Sequence, residues 1–538
     1  MCMDKNWKLK IVSTSLLLFS VFIYGCKKHD LNKITGIAFD QNLATAIGYG
    51  EFGVHDILKS AGSILNVDQN TGDISLVYHK DIDTIYAKDV ITLSDVNQSF
   101  SIVPPSLAGN AGGSFVGSIN NSTSQNFTYT TQNGAELHAL NFQSGNLVIT
   151  ASSTIQHDIT LALSFPDLKL AGNVITKTIT MHYLNSFPYT GSATINLSDV
   201  LADFTADGTA TNTLRINVDA TITGTGNPIA GNESLDLAIN LTNLKFKNIT
   251  GYFGQQSLAS FVDTMLLKVF DSPTSGNLSF TNPKLAFVID NSFGIPIDVN
   301  FNNFSTVNTI TSQNTPILIS NPTLSVNTPP TIGSSAQTTF VLNNGSTNNT
   351  LSNLIDANPK NLIYNISATT NPGGNIAPLN FIESTSKMVI KVDIELPFEG
   401  YASGMTIKDT LDFSYTNDVN NIKSAMLRLK VDNGLPLSFK GQVLFVDENY
   451  ATVFTLFDTP TELISAAPVD GNGVVSSTAS KSNDVTISAA NALLLGKVKY
   501  FIFSGTVETT KPQNTVVKLR DSYKIGFKLS MQVQLKGK

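Results

Sequence analysis

Most of this chain alternates. In "SATINL", "TLRINVDATITG", "SLDLAINLTNLKFKN", "KLAFVIDN", "MVIKVDIELPF" and "KVKYFIFSGTVETT", apolar and polar residues exchange at nearly every step. Period two puts one set of side chains on each face of a strand. These stretches are rich in Val, Ile, Thr and Phe and are bounded by Gly, Asn and Pro, which predicts strands. Only 54–60 and 197–204 read as short helices, and no long amphipathic helix is present. The predicted class is all-β: tandem antiparallel β-sandwich modules with few short helices, one face of each sheet buried.

A weak internal echo bears on organisation. "LNSFPYTGSATI", "IDNSFGIPIDVNF" and "VDNGLPLSFKGQV" each end a strand on Asn, turn near a Pro (Pro188, Pro296, Pro436) and resume alternation. Asn tolerates left-handed conformations and Pro suits a strand start or edge. Prolines cluster in "NPTLSVNTPPTIGSS" (321–335), a linker signal. The expected division is a signal peptide at 1–25, an N-terminal β region at 26–150, a β-sandwich module at 151–325 and one or more C-terminal sandwich modules at 326–538.

The N-terminus changes the picture from fold to place. Lys5, Lys8 and Lys10 precede an apolar run from Ile11 to Tyr24, which ends on Gly25 and Cys26. A membrane-spanning helix needs about 20 apolar residues, so the shorter run fits an export signal. Ile23-Tyr24-Gly25-Cys26 resembles the bacterial lipobox, although Tyr24 is an unusual occupant. The resemblance implies cleavage before Cys26 and acylation of its thiol. Two acyl chains make a stable anchor where one is marginal. Cys2 leaves with the signal, so the mature chain holds no intramolecular disulfide. Lys27-Lys28-His29-Asp30 only mildly favours surface display over the periplasmic face of an outer membrane.

Composition narrows the partners. Charged residues are 14 %, against roughly 25 % in ordinary soluble domains. Asn, Ser and Thr take their place on the surface. The formal net charge is −7, and only Arg215, Arg428 and Arg520 represent arginine. That is no footprint for nucleic acid. The one tryptophan, Trp7, lies in the signal, which weakens a sugar-stacking platform.

Candidate chemistry is sparse. Residues 183–538 contain neither His nor Cys, which excludes Ser-His-Asp, Cys-His and His-ligated zinc chemistry there. "DQNTGDIS" (68–75) lacks the spacing of a calcium loop and reads as a hairpin turn. Asp393 and Glu395 share a strand face, as exposed acids commonly do. No catalytic residue, metal ligand or cofactor is expected, and the chain is read as not an enzyme. Asp-Thr-aliphatic triplets at Thr84, Thr264 and Thr410 resemble the O-glycosylation acceptor pattern of exported Bacteroidota proteins.

"NPKLAFVIDNSFGIPIDV" (282–299) looks like the strand-turn-strand core of late-embryogenesis-type β-sandwiches. "ELPFEGYASGMTIKDTLDF", "VDNGLPLSFKGQVLFVDENY" and "VVKLRDSYKIGFKLSMQVQL" resemble large lipoproteins of the Bacteroidota, a likeness that brings no catalytic residues with it. The expectation is a lipid-anchored cell-envelope protein with a non-catalytic binding or scaffold role through protein or envelope contacts. Two alternatives stand beside it. One is a glycan-binding outer-membrane lipoprotein. The other is a lipid-binding β module centred on the apolar "GYFGQQSLASFVDTMLLKVF" (251–270).

Overall fold

The computed structural model describes residues 42–54, 65–102, 111–186, 188–267, 277–308, 311–345, 351–352, 359–413, 419–509 and 515–535. They are built almost wholly of antiparallel strands. Among them the α-helical segments of more than two residues are Ala87–Val90 and Ala489–Leu494. Every stretch whose alternation predicted a strand overlaps one, from Tyr189–Asn196 to Tyr500–Thr509.

The strands form three sandwiches, nested in one another. The inner one takes Val96–Ser101, Ser118–Thr128, Glu136–Ser153, Asp158–Leu170, Asn173–Met181, Tyr189–Asn196, Thr213–Thr223 and Leu235–Tyr252. The middle one opens with Ile74–Tyr86, breaks off for the inner one, and resumes with Ser257–Leu266, Lys284–Asn291, Ile297–Asn308, Gln313–Ile317, Thr323–Val326, Ala336–Leu342, Asn361–Thr370 and Lys387–Pro397. The outer one opens with Asn42–Gly53 and resumes with Met405–Asp412, Ile422–Asn433, Leu437–Val446, Thr452–Thr455, Thr461–Ile464, Ala479–Ile487, Tyr500–Thr509 and Lys524–Leu535.

The middle and outer sandwiches share one plan. Numbered within each sandwich, strands 7, 3, 9 and 1 form one sheet in that order; strands 2, 8, 4 and 5 form the other, with strand 6 also on strand 4. The inner sandwich repeats this order without strand 6. There the short strand Leu201–Asp203 pairs with both Glu136–Ser153 and Asp158–Leu170 and joins the two sheets. In each host sandwich the insertion falls between strands 1 and 2.

This pairing cuts across the boundaries expected at 150 and 325. Strand Glu136–Ser153 runs through the first and pairs along its length with Leu235–Tyr252. Asn42–Gly53, expected in an N-terminal region, pairs with Lys524–Leu535. The proline-rich stretch 321–335 is not a linker between modules. Thr323–Val326 lies on one sheet of the middle sandwich and Ala336–Leu342 on the other, so the prolines punctuate a crossing between sheets. The helix expected at 197–204 is instead a turn, with Asp199 at φ 64°, leading into Leu201–Asp203. Of the helix expected at 54–60, residues 55–60 lie outside the described residues.

Aromatic rings fill the space between sheets. In the middle sandwich Phe301 stacks on Phe340 at 4.8 Å and meets Phe287 at 4.7 Å. In the outer one Phe527 packs on Phe503 at 4.4 Å. Each such side chain contributes about 1.5–3 kcal/mol by burial.

The sandwiches are joined by backbone pairing. Asn380–Glu383, from the middle chain segment, adds to the inner sheet at Asn248–Gly251. Asn277–Phe280, Glu399–Ser403 and Val517–Lys518 form a three-stranded sheet between the middle and outer sandwiches. Beside it Phe398 donates to Ile74, and Leu519 to Phe398, through main-chain bonds of 2.8 and 2.9 Å. Arg520 closes the junction on Asp73 at 2.8 Å.

Candidate functional site

The echo is the first sequence feature to acquire geometry. Asn291 and Asn433 are wholly buried where strand 3 crosses to strand 4. Each takes the amide two residues ahead on its Oδ1, Phe293 and Leu435 respectively, at 2.9 Å. Each donates its side-chain amide to a distant carbonyl, Asn327 or Ser465. The third copy is not at Leu184, where Asn185 is exposed with φ 59°. It is Ser153, which accepts from the Ile155 amide at 3.0 Å and donates to the Ser234 carbonyl at 2.9 Å. Serine does there what asparagine does elsewhere, and no proline follows, so the sequence carried no cue.

Cys26 lies outside the described residues. Thr84, Thr264 and Thr410 all lie on strands, and all three show one local arrangement. The Thr amide donates to Oδ1 of the preceding Asp, at 2.6, 2.6 and 2.8 Å. Thr264 and Thr410 occupy the same rung of the middle and outer sandwiches, opposite Ile363 and Ile502. Both are on strand 2, at the rim of its sheet; Thr264 is exposed and Thr410 half-buried. Thr84 is half-buried on strand 1 of the middle sandwich, paired with Val389 on one side; Leu65–Val67 adds to that strand only at residues 74–76.

The other candidates resolve into scaffold. Stretch 68–75 is a hairpin turn: Asp68 Oδ1 accepts the Asn70 and Thr71 amides at 2.8 and 3.0 Å, and these bonds hold its carboxyl below the usual range. Asp393 meets His79 at 2.7 Å and Glu395 meets Lys284 at 3.2 Å, two pairs on one exposed sheet face. His182 sits against Asp158 at 3.0 Å. Among the described residues no group of three or more His, Cys, Asp or Glu side chains is placed to hold a metal. Asp167, almost fully buried, is held by Arg215 through Nε and Nη2, and this bond raises the guanidinium above its ordinary value. That pair fastens the inner sandwich.

The described part of the apolar stretch, 251–267, is shared between two sandwiches. It divides at 253–256 into the end of one inner strand and the start of a middle edge strand; 268–270 lie outside the described residues. Phe253 is buried at that junction, where its amide donates to Asn380 Oδ1 at 3.2 Å. An aromatic platform is scarcely better served. Tyr450 and Tyr500 stack on each other at 5.1 Å, which occupies one face of each ring.

Sequence reasoning missed the side of each sandwich where strands 1 and 2 lie at the rims of their sheets. In the inner sandwich Gln98 bridges this seam, donating to the Thr128 carbonyl at 3.0 Å and accepting its amide at 3.2 Å. In the middle one Lys80 crosses to Asp263 at 2.6 Å and to the Thr264 carbonyl at 2.8 Å, and Tyr364 joins Asp263. In the outer one Phe52 and Ile407 border an apolar cleft instead. Interior strand glycines, in "FKGQV" and "FSGTV", were the available signal.

No family model and no curated protein matches this chain. Among solved structures, a "putative secreted protein" from Parabacteroides distasonis ATCC 8503 is 15 % identical, over 52 % of this chain and 82 % of its own, with a TM-score of 0.32. A triple-jelly-roll turret protein of an archaeal virus is 11 % identical, over 83 % of this chain and 90 % of its own, with a TM-score of 0.11. At these scores neither likeness carries an argument about function. Among the described residues no helix is long and apolar enough to cross a membrane.

Proposed function

We propose that this is a cell-envelope protein of the Bacteroidota type, tethered to the outer membrane through lipid on Cys26, with a non-catalytic binding or scaffold role. The observation that carries the reading is the apolar run that stops at Gly25-Cys26 after a lysine-rich start. Three nested sandwiches with strand-paired junctions support it, since they give a stiff display body. Ion pairs such as Arg215–Asp167 and Arg520–Asp73 fasten the body and its junction. Thr264, exposed on a rim strand, is the best-placed O-glycan acceptor; Thr84 and Thr410 are both half-buried.

The test is metabolic labelling with a fatty-acid analogue in cells making wild-type protein or Cys26→Ser. Wild type takes up label and sediments with membranes, and the variant does neither. Label retained by the variant sinks the anchor. Protease shaving of whole cells then separates the surface from the periplasmic face, and a pull-down from the native envelope identifies the partner. Intact mass of the exported protein reports the threonines.

A further inference from the structure

The strand Ser118–Thr128, "SINNSTSQNFT", lies at the rim of one inner sheet, with Thr213–Thr223 on its paired side. Its register with that neighbour is unbroken from end to end. Thr128 turns its amide and carbonyl outward, where the Gln98 side chain takes both. By the two-residue period of an antiparallel ladder, Ser118, Asn120, Ser122, Ser124 and Asn126 turn theirs the same way. These residues are exposed, and among the described residues no group bonds their outward amides and carbonyls.

An open edge of this kind invites another strand, and proteins blunt it with charge, proline or a bulge. The other rim strands of comparable length are blunted: Glu51 and a bulge in Asn42–Gly53, Lys177 in Asn173–Met181, Asp263 and a bulge in Ser257–Leu266, Lys481 and Asp484 in Ala479–Ile487. Ser118–Thr128 has none of these devices.

The order of its residues points to the partner. Read backward, the strand runs Thr, Phe, Asn, Gln, Ser, Thr, Ser, Asn, Asn, Ile, Ser, which repeats the forward run class by class. Two copies laid antiparallel about a two-fold axis at Thr123 therefore meet like with like. Ile119 stands opposite Phe127, Asn121 opposite Gln125, Asn120 opposite Asn126 and Ser122 opposite Ser124. Every such pair keeps to one face, so the inward face of one copy continues that of the other. The outward main-chain groups of 120, 122, 124 and 126 fall in hydrogen-bonded pairs, and Thr123 meets its own copy in a non-hydrogen-bonded one. Sliding the register by two residues sets Phe127 against Gly117 or Asn121 instead. The nearest charges fit as well. Arg215 lies beside Asn126 and Asp219 beside Ser122, so across the axis their rows meet those of Thr221 and Asn217, which are uncharged.

We propose that two copies of this chain dimerise edge to edge through Ser118–Thr128, making one continuous sheet across two inner sandwiches. The inference does not rest on the anchor at Cys26. Contact along a single edge strand is small, so the dimer is a reversible one.

The experiment is sedimentation velocity on the full mature chain carrying Cys26→Ser, over a concentration series. The expected result is a reversible monomer–dimer equilibrium. Ser124→Pro removes an outward N–H and no bond to Thr213–Thr223, and should weaken the dimer by about tenfold or more. Asn120→Lys with Asn126→Lys should abolish it, while Asn120→Lys with Asn126→Glu should restore it, because the two positions meet only across the axis. If Ser124→Pro does not fold, the charge pairs decide. Thr123→Cys should cross-link on mild oxidation and Ser118→Cys should not, since the Cα atoms of a non-hydrogen-bonded pair stand about 4.5 Å apart, within disulfide reach. A chain that stays monomeric throughout the series, folded variants that dimerise like wild type, or absence of the cross-link at 123 overturns the proposal.

Discussion

Asn291 and Asn433 hold the same corner in two sandwiches, each wholly buried and each accepting the amide two residues ahead. An Asn side chain offers an acceptor and two donors, which is what a chain leaving one sheet for the other needs inside a core. The main-chain groups there would otherwise be buried without partners, and each orphaned group costs about 1–3 kcal/mol.

Asn291→Ala and Asn433→Ala are therefore expected to destabilise by about 2 kcal/mol or more each, since each strands an amide and a carbonyl. Asn185→Ala, at the exposed look-alike, should stay within about 0.5 kcal/mol of wild type. Urea unfolding of the three variants checks this. Equal effects at 185 and 291 would show that the corner bonds do not matter.

Gly294 is required by contact and not by backbone conformation, since its φ is not positive. A Cβ there would lie 2.3 Å from the Phe381 ring, and Gly294 also pairs with Phe381 through main-chain bonds of 2.9 and 3.1 Å. Gly294→Ala should cost about 1–3 kcal/mol by overpacking. It should also loosen the strand that joins the middle and inner sandwiches. Hydrogen exchange at Asn380–Glu383 reads the second effect; unchanged protection there would contradict it.

His157 gives stability a pH dependence with a definite sign. It is fully buried; its Nδ1 takes the Thr225 amide at 3.2 Å and Nε2 has no partner. Burial, opposed by nearby Glu233 and Asp158, lowers its pKa below the ordinary value. An unfolded histidine titrates at about 6.5, so below that pH the unfolded chain holds a proton that the folded chain refuses. Stability from this group is present above about pH 6.5, is lost as pH falls toward the folded pKa, and then levels off. Denaturation midpoints at pH 7.5, 6 and 5 should fall in wild type and fall less in His157→Gln. Parallel slopes would remove His157 as the cause.

Nesting predicts complementation. A fragment of residues 399–535 lacks strand 1 of its own sandwich, so Lys524–Leu535 loses the partner it has in Asn42–Gly53. That fragment is expected to be poorly folded alone and to gain sheet signal and protection when a peptide of residues 42–54 is added. Residues 96–256, which hold all eight strands of the inner plan, should fold unaided. Circular dichroism of both fragments, with and without peptide, is the measurement.

Strand content was legible because alternation is a local property. "KLAFVIDN" reads as a strand in any context, and 284–291 is one. Pairing was not legible, because nothing in "NLATAIGYGEFG" names a partner at the other end of the chain. The Asn-Pro echo located two of three equivalent corners, and failed at Ser153 because a hydroxyl can make the same two bonds. Gly441 and Gly505 lay in the open in the sequence, but that they face each other across paired strands, where Phe301 and Ile366 stand in the middle sandwich, needed the fold. Only the folded chain sets Phe301 against Gly441.

The nesting also orders events in time. Asn42–Gly53 is the first described strand to be synthesised, yet its partner Lys524–Leu535 is the last. The inner sandwich is complete once residue 252 has emerged, the middle one at 397, and the outer one only at 535. The order in which the sandwiches can be completed thus runs from the inside outward, and the opening strand gains its partner only at the end. A chain cut short anywhere after 397 presents two finished bodies and an unzipped third. Closure of the outermost sandwich is available only to chains that reach Lys524–Leu535; shorter ones keep Asn42–Gly53 as an unpaired sheet edge.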